Sequence, residues 1–104
     1  MVTVTVTYPR QPGATFDHDY YMRTHVPMVW DVWGAHGLVD VSVLKGLAAA
    51  DGGEAPYVTV CLIQFESPEA LQQAMANPDA GRLTGDVPNF TNIAPVIQVN
   101  EPLA

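Results

Sequence analysis

Positive charge is scarce in this 104-residue chain: Arg10, Arg23, Lys45 and Arg82 stand against eleven carboxylates, leaving a formal net charge of −7. A nucleic-acid or anionic-membrane partner needs clustered Lys and Arg, so neither is expected. The single Cys61, inside the apolar run Val58 to Phe65, permits no disulfide framework and no thiolate ligand set; it reads as a small core residue. No apolar run is long enough to span a bilayer. The N-terminal Met1-Val2-Thr3-Val4-Thr5-Val6-Thr7 has neither a basic nor a long apolar leader segment, so a soluble, cytoplasmic protein is expected. Phosphate-cradling glycine loops, HExxH or HxxxH pairs and a Ser-His-Asp order are all missing. His18, His25 and His36 share a helical side but stand about 10 and 16 Å apart on an ideal helix, too far to share a metal. No metal and no cofactor are expected. A haem is disfavoured as well, because its propionates would meet few cations.

Val2, Val4, Val6 and Tyr8 alternate with Thr3, Thr5 and Thr7, the period-2 pattern of a strand. Pro9 to Ala14 breaks it, and a helical pattern begins near Thr15 or Phe16, with Thr15 as a capping candidate and Asp17 and Asp19 complementing the helix dipole. At about 100° per residue, His18, Tyr21, Met22, His25, Met28, Val29 and Val32 gather on one side, with Tyr20, Arg23, Trp30 and Asp31 opposite. Tyr20 and Trp30 are therefore expected to meet a terminus, a loop or another subunit. Pro27 falls inside this helix, where its ring presses on the carbonyl of Arg23 and predicts a kink or irregular turn beside His25. The helix stops in Gly34-Ala35-His36-Gly37.

Leu38 to Leu47 and Tyr57 to Glu66 read as two strands of a hairpin. Ser67-Pro68-Glu69 then opens a second helix with Ala70, Leu71, Ala74 and Met75 as its buried stripe, ending before Pro78. Residues 77–95 read as a long irregular segment, and Val96 to Asn100 as a last strand. The order is βαββαβ. It predicts one domain over residues 1–104 with an α+β, ferredoxin-like fold, an antiparallel four-stranded sheet carrying both helices on one face. Val58, Val60 and Leu62 line one side of the third strand while Tyr57, Cys61, Ile63 and Phe65 line the other. A strand apolar on both sides is covered on both, so a homodimer packed sheet to sheet is expected.

The pattern Phe16-Asp17-x-x-Tyr20-Tyr21-x-x-x-His25-x-Pro27-Met28, followed by Asp86-Val87-Pro88-Asn89-Phe90-Thr91, resembles the EthD family over essentially the whole chain. The family takes its name from a protein required for bacterial degradation of ethyl tert-butyl ether. The resemblance implies a dimeric α+β barrel, in a wider group that hosts cofactor-free oxygenases, cyclases, isomerases, dehydratases and haem enzymes. Ligands in that group occupy a pocket between sheet and helices, the side to which His25 points.

Two functions are consistent with these residues. In the first, the chain is a cofactor-free enzyme acting on a small hydrophobic oxygen-containing metabolite by elimination, isomerisation or oxidation. His25 is then its acid or base, because imidazole exchanges protons near neutral pH. Tyr21, one turn earlier, shares a hydrogen bond with His25 or with a substrate oxygen. Tyr8, Met28, Asp86 and Asn89 contribute to ligand binding, with Phe90 as an apolar wall. In the second, the chain is a non-catalytic dimeric module that binds a hydrophobic ligand or supports a degradative pathway. His25 then donates to a backbone carbonyl at the kink, or to Asp86 or Asn89, and merely holds helix to loop.

Overall fold

Strand-forming alternation and helix-forming periodicity meet in a two-layer structure. The computed structural model describes residues 1–103. Strands β1 (Val2–Pro9), β2 (Leu38–Lys45), β3 (Tyr57–Phe65) and β4 (Val96–Asn100) form one sheet in the order β2-β3-β1-β4. Every neighbouring pair is antiparallel. This is the expected ferredoxin-like α+β arrangement. Val2, Val4 and Tyr8 on β1 and Thr59, Cys61, Ile63 and Phe65 on β3 are buried on the helix side. Directly paired residues share a face, so Thr3, Thr5, Thr7, Leu44, Val60 and Leu62 lie on the other side.

Helix α1 runs in three stretches: α-helical over His18–Tyr20, π-helical over Tyr21–His25 and α-helical over Val26–Trp33. Asp17, not Thr15, caps it, its carboxylate accepting from Tyr20 N–H at 3.0 Å. The irregularity expected from Pro27 takes the form of the π turn: the Val26 N–H bonds the Tyr21 carbonyl five residues back, immediately before the residue that has no N–H to give. The wider turn rotates the inward face. Tyr21, His25, Val29, Val32 and Trp33 are buried, whereas Met22, expected inside, is half exposed.

Helix α2 (Pro68–Ala76) is capped by Ser67, whose hydroxyl accepts from Ala70 N–H at 3.1 Å. It packs Ala70, Leu71 and Ala74 into the core, while Met75, expected in its buried stripe, is half exposed. Trp33 Nε1–H donates to the Ala74 carbonyl at 2.9 Å and ties the two helices together. The segment expected to be irregular after Pro78 is mostly helical. Two 3₁₀ turns, Pro78–Ala80 and Val87–Asn89, flank a short helix α3 (Gly81–Asp86), which buries Leu83 and Asp86. Helical pattern is hard to see there because glycines and prolines interrupt each turn within a few residues.

Candidate functional site

The two halves of the sequence signature fold into one unit. Phe16 bridges Thr91 in an antiparallel pair, and Asp17 N–H donates to the Phe90 carbonyl at 2.8 Å. The Thr91 hydroxyl donates to the Thr15 carbonyl at 2.6 Å, and the Asn92 side chain accepts from Thr15 N–H and donates to the Gly13 carbonyl, both at 2.9 Å. These bonds hold the end of α3 and its following turn against the start of α1. Asp86 is thereby brought to His25.

Three donors converge on the buried Asp86 carboxylate. The Tyr20 hydroxyl and Asn89 Nδ2–H reach Oδ1 at 2.6 and 2.9 Å, and His25 Nδ1–H reaches Oδ2 at 2.9 Å. Burial alone pushes the Asp86 carboxyl up, but the bonds from Asn89, Tyr20 and His25 outweigh it and hold the group below the usual carboxylate range. Asp86 is therefore ionised at neutral pH and accepts only. This fixes one end of the His25 ring: Nδ1 carries a proton, and Nε2 is the ring nitrogen left to exchange one. Among the described residues Nε2 makes no hydrogen bond, and no buried side-chain nitrogen or oxygen lacks a partner. Nε2 is therefore not sealed from space, and His25 lines an inner cavity of about 210 Å³ between sheet and helices.

Tyr8, Tyr21, His25 and Thr84 form the polar part of that cavity, and the rest is apolar, with Val29, Ile63, Leu83 and Ile97 among its walls. Tyr21 stacks on His25 at 5.1 Å between ring centroids and meets Tyr8 edge-on at 6.1 Å. Burial raises the Tyr8 hydroxyl to about 12, partly offset by its Tyr21 neighbour, and raises Tyr21 and Cys61 as well. Both tyrosines are thus neutral hydrogen-bond donors at physiological pH.

Of the residues expected to bind a ligand, Tyr8 and Tyr21 line the cavity, as does His25. Asp86, Asn89 and Phe90 do not. Asp86 bonds the imidazole and accepts from Asn89, Phe90 packs on the ring at 4.7 Å, and Asn89 and Phe90 line a separate outer cleft. Met28 packs half-buried against the core outside the cavity. Tyr20 was placed on the opposite face because five α-helical residues amount to about 140° of rotation from His25. The π turn closes that angle and delivers its hydroxyl to Asp86. The one clue in the sequence is Pro27, which announces an irregular turn without stating its type. The outer cleft, wider at about 710 Å³ and lined by Asp17, His18, Lys45, Asn89 and Asn92 among others, shares none of the cavity's residues. There His18 Nε2 lies 2.8 Å from the hydroxyl of the fully buried Thr59, and burial, then Lys45, lowers its affinity for protons.

Fold and site define a ferredoxin-like α+β protein with an imidazole at a helix-sheet cavity. The EthD domain model matches residues 13–94, and the chain belongs to that family. An EthD-like protein from Ralstonia eutropha JMP134 is 38% identical, with 99% of this chain and 92% of that one covered, at a TM-score of 0.87. An EthD family protein from Bacillus halodurans C-125 is 22% identical over 99% of both chains, at a TM-score of 0.76. SnoaB, a cofactor-independent oxygenase from Streptomyces nogalater, is 10% identical over 99% and 93% of the two chains and shares the fold at a TM-score of 0.69. No curated protein matches. Among the described residues no helix is long and apolar enough to cross a membrane.

Proposed function

We propose that this protein is a cofactor-free enzyme that moves a proton on a small, largely apolar, oxygen-containing molecule, in an elimination, isomerisation or oxidation, with His25 Nε2 as acid and base. The observation that carries this is the division of the imidazole: Nδ1 is held by an ionised Asp86, while Nε2 has no protein partner and the ring lines an apolar cavity. A carboxylate behind a histidine fixes its tautomer and steadies the imidazolium formed on proton uptake. The hydrogen-bonded pair Tyr21 and Tyr8 leaves a phenolic donor for a developing oxyanion. The family and the cofactor-independent oxygenase of like fold support small-molecule chemistry at this pocket. The working unit is a homodimer in the cytoplasm, packed through the sheet faces.

The Tyr20-Asp86-Asn89-His25 network also ties α1 to the turn after α3, as a purely structural histidine would. One experiment separates the two roles. Exchange of the α-hydrogens of cyclohexanone in D₂O, followed by NMR, is expected to accelerate with the wild-type protein and to return to the buffer rate with folded His25→Gln. Wild-type exchange at the buffer rate, or unchanged exchange in His25→Gln with a lowered melting temperature, would refute the proton-transfer role.

A further inference from the structure

Charge, volume and donor placement in the inner cavity limit what enters it. No Lys or Arg lines the cavity: Lys45 borders the outer cleft, Arg10 Nε donates to the Ala55 carbonyl and Arg82 faces Asp31. A carboxylate or phosphate inside would be desolvated without a counter-charge, at a cost of several kcal/mol. A cationic ligand fares no better, because no carboxylate lines the cavity and Asp86 is screened behind His25 and satisfied by three donors. The volume bounds the part of a ligand held inside, the wall of Ile97 and Val99 being open to solvent. A cavity of about 150 Å³ takes benzene, so 210 Å³ takes roughly eight non-hydrogen atoms by proportion.

Apart from Thr84 on α3, the polar side chains of the lining are neighbours. Tyr8, Tyr21 and His25 are joined by ring contacts of 6.1 and 5.1 Å, and the one indole in the wall, Trp33, has spent its N–H on Ala74. Tyr8 and Tyr21 already share a side-chain hydrogen bond, and Tyr21 also meets Cys61, so this end offers one phenolic donor beside the imidazole. The matching ligand accepts at an oxygen and gives up a proton next to it.

Resting on the proton-transfer reading of the same site, we infer that the ligand class is an uncharged, single-ring-sized enolisable ketone or the phenol of like shape, its oxygen set among Tyr8, Tyr21 and His25 and its apolar body against Val29, Leu83 and Ile97. In the ketone, Nε2 takes the α-hydrogen and the C–H electron pair becomes the C=C bond. The carbonyl π pair moves onto oxygen, where the remaining phenolic donor holds it. Return of the proton from Nε2 to a carbon regenerates the carbonyl, so no oxidant or reductant is consumed. A phenol presents the enol form permanently and serves as the binding probe.

Titration of the full-length protein with 4-methylphenol, benzoate and 4-tert-octylphenol, by calorimetry and by the imidazole ¹⁵N signals of His25, tests the inference. The small phenol is expected to bind and perturb His25, with benzoate and the bulky phenol weaker by about tenfold or more. Tyr8→Phe and Tyr21→Phe, which keep the ring and remove the hydroxyl, are expected to weaken the phenol with the circular dichroism unchanged. Equal or tighter binding of benzoate, equal binding of the bulky phenol, or no binding of 4-methylphenol up to its solubility overturns it. These readouts are of binding. Selective phenol binding without ketone exchange refutes proton transfer and leaves the ligand class standing, and exchange without selection refutes the ligand class alone.

Discussion

Asp86 is a buried carboxylate kept ionised by Tyr20, Asn89 and His25, and each donor carries a separate consequence. Its folded pKa lies below the unfolded value near 3.9, so its contribution to stability is complete above that value and is lost as pH falls through the folded pKa. Thermal melts from about pH 6 to pH 2 are expected to show this acid limb, and Asp86→Asn to flatten it. The same variant removes an ionic acceptor from a buried imidazole, at about 1.5–3 kcal/mol of stability, and frees the tautomer of His25, so ketone exchange is expected to fall with it. Tyr20→Phe tests the least visible member. Its loss is expected to raise the Asp86 pKa measured by NMR titration while leaving Nε2 in place, so exchange falls less than in Asp86→Asn. His25, Tyr21 and Tyr8 were legible as inward-facing residues because helical and strand periodicity place them on the apolar side. Asp86 and Asn89 were legible as partners of His25 only as one option among several, since which of them reaches the ring depends on contacts between residues sixty apart. Tyr20 meets the segment after α2 through Asp86 and Phe90, as its outward position predicts, but the π turn also brings it beside His25, which the α-helical angle does not show.

At the scale of elements, the ends of the helices decide where the site sits. Gly37 follows α1 at φ +88°, and a Cβ there would stand 2.6 Å from the Ala70 Cβ, so the same residue turns the chain and lets α2 approach. Gly37→Ala is expected to cost about 1–2 kcal/mol from the backbone alone, roughly 5–10 °C in melting temperature, and more from the Ala70 contact. The glycine pair was legible as a stop signal, but only Gly37 uses a positive φ; Gly34 remains helical at φ −57°. Thr91 does for the loop what Gly37 does for the helix, bonding the Thr15 carbonyl and accepting from Ile93 N–H at 3.1 Å. Thr91→Val keeps the shape and cuts both bonds. Faster hydrogen exchange at residues 86–93 and at the start of α1, with the sheet unaffected, is the expected signature. Strand alternation and the capped α2 were plain in the sequence because they depend on neighbours a few positions away. The helical character of residues 78–89 was not, because short turns rich in Gly and Pro take their conformation from the surface they dock on.

The whole molecule is a slab of 39 × 35 × 19 Å, one sheet and one layer of helices, with an uncovered sheet face. That face carries the row Thr3, Thr5 and Thr7 on β1 beside half-buried Val58, Val60 and Leu62 on β3, the two central strands, and the largely exposed Leu44 on β2. Strand β4 adds exposed Ile97 and Val99 on the helix side, where they form one wall of the cavity. Covering a Val or Leu side chain fully is worth about 1.5–3 kcal/mol, and a second copy meeting face to face would cover three on β3 alone, twice over by symmetry. The wild-type protein is therefore expected to sediment as a dimer at micromolar concentration. Leu62→Glu places a charge at the centre of the face, opposite Thr5 and Ser42, without touching the helix-side core. It is expected to give a monomer with unchanged far-ultraviolet circular dichroism. A wild-type chain that sediments as a well-folded monomer would contradict the sheet-to-sheet dimer. A dimer unaffected by Leu62→Glu would move the interface to the β4 edge, where Ile97 and Val99 would bring the second copy to the mouth of the cavity, and Ile97→Asp would then be the substitution that separates the subunits.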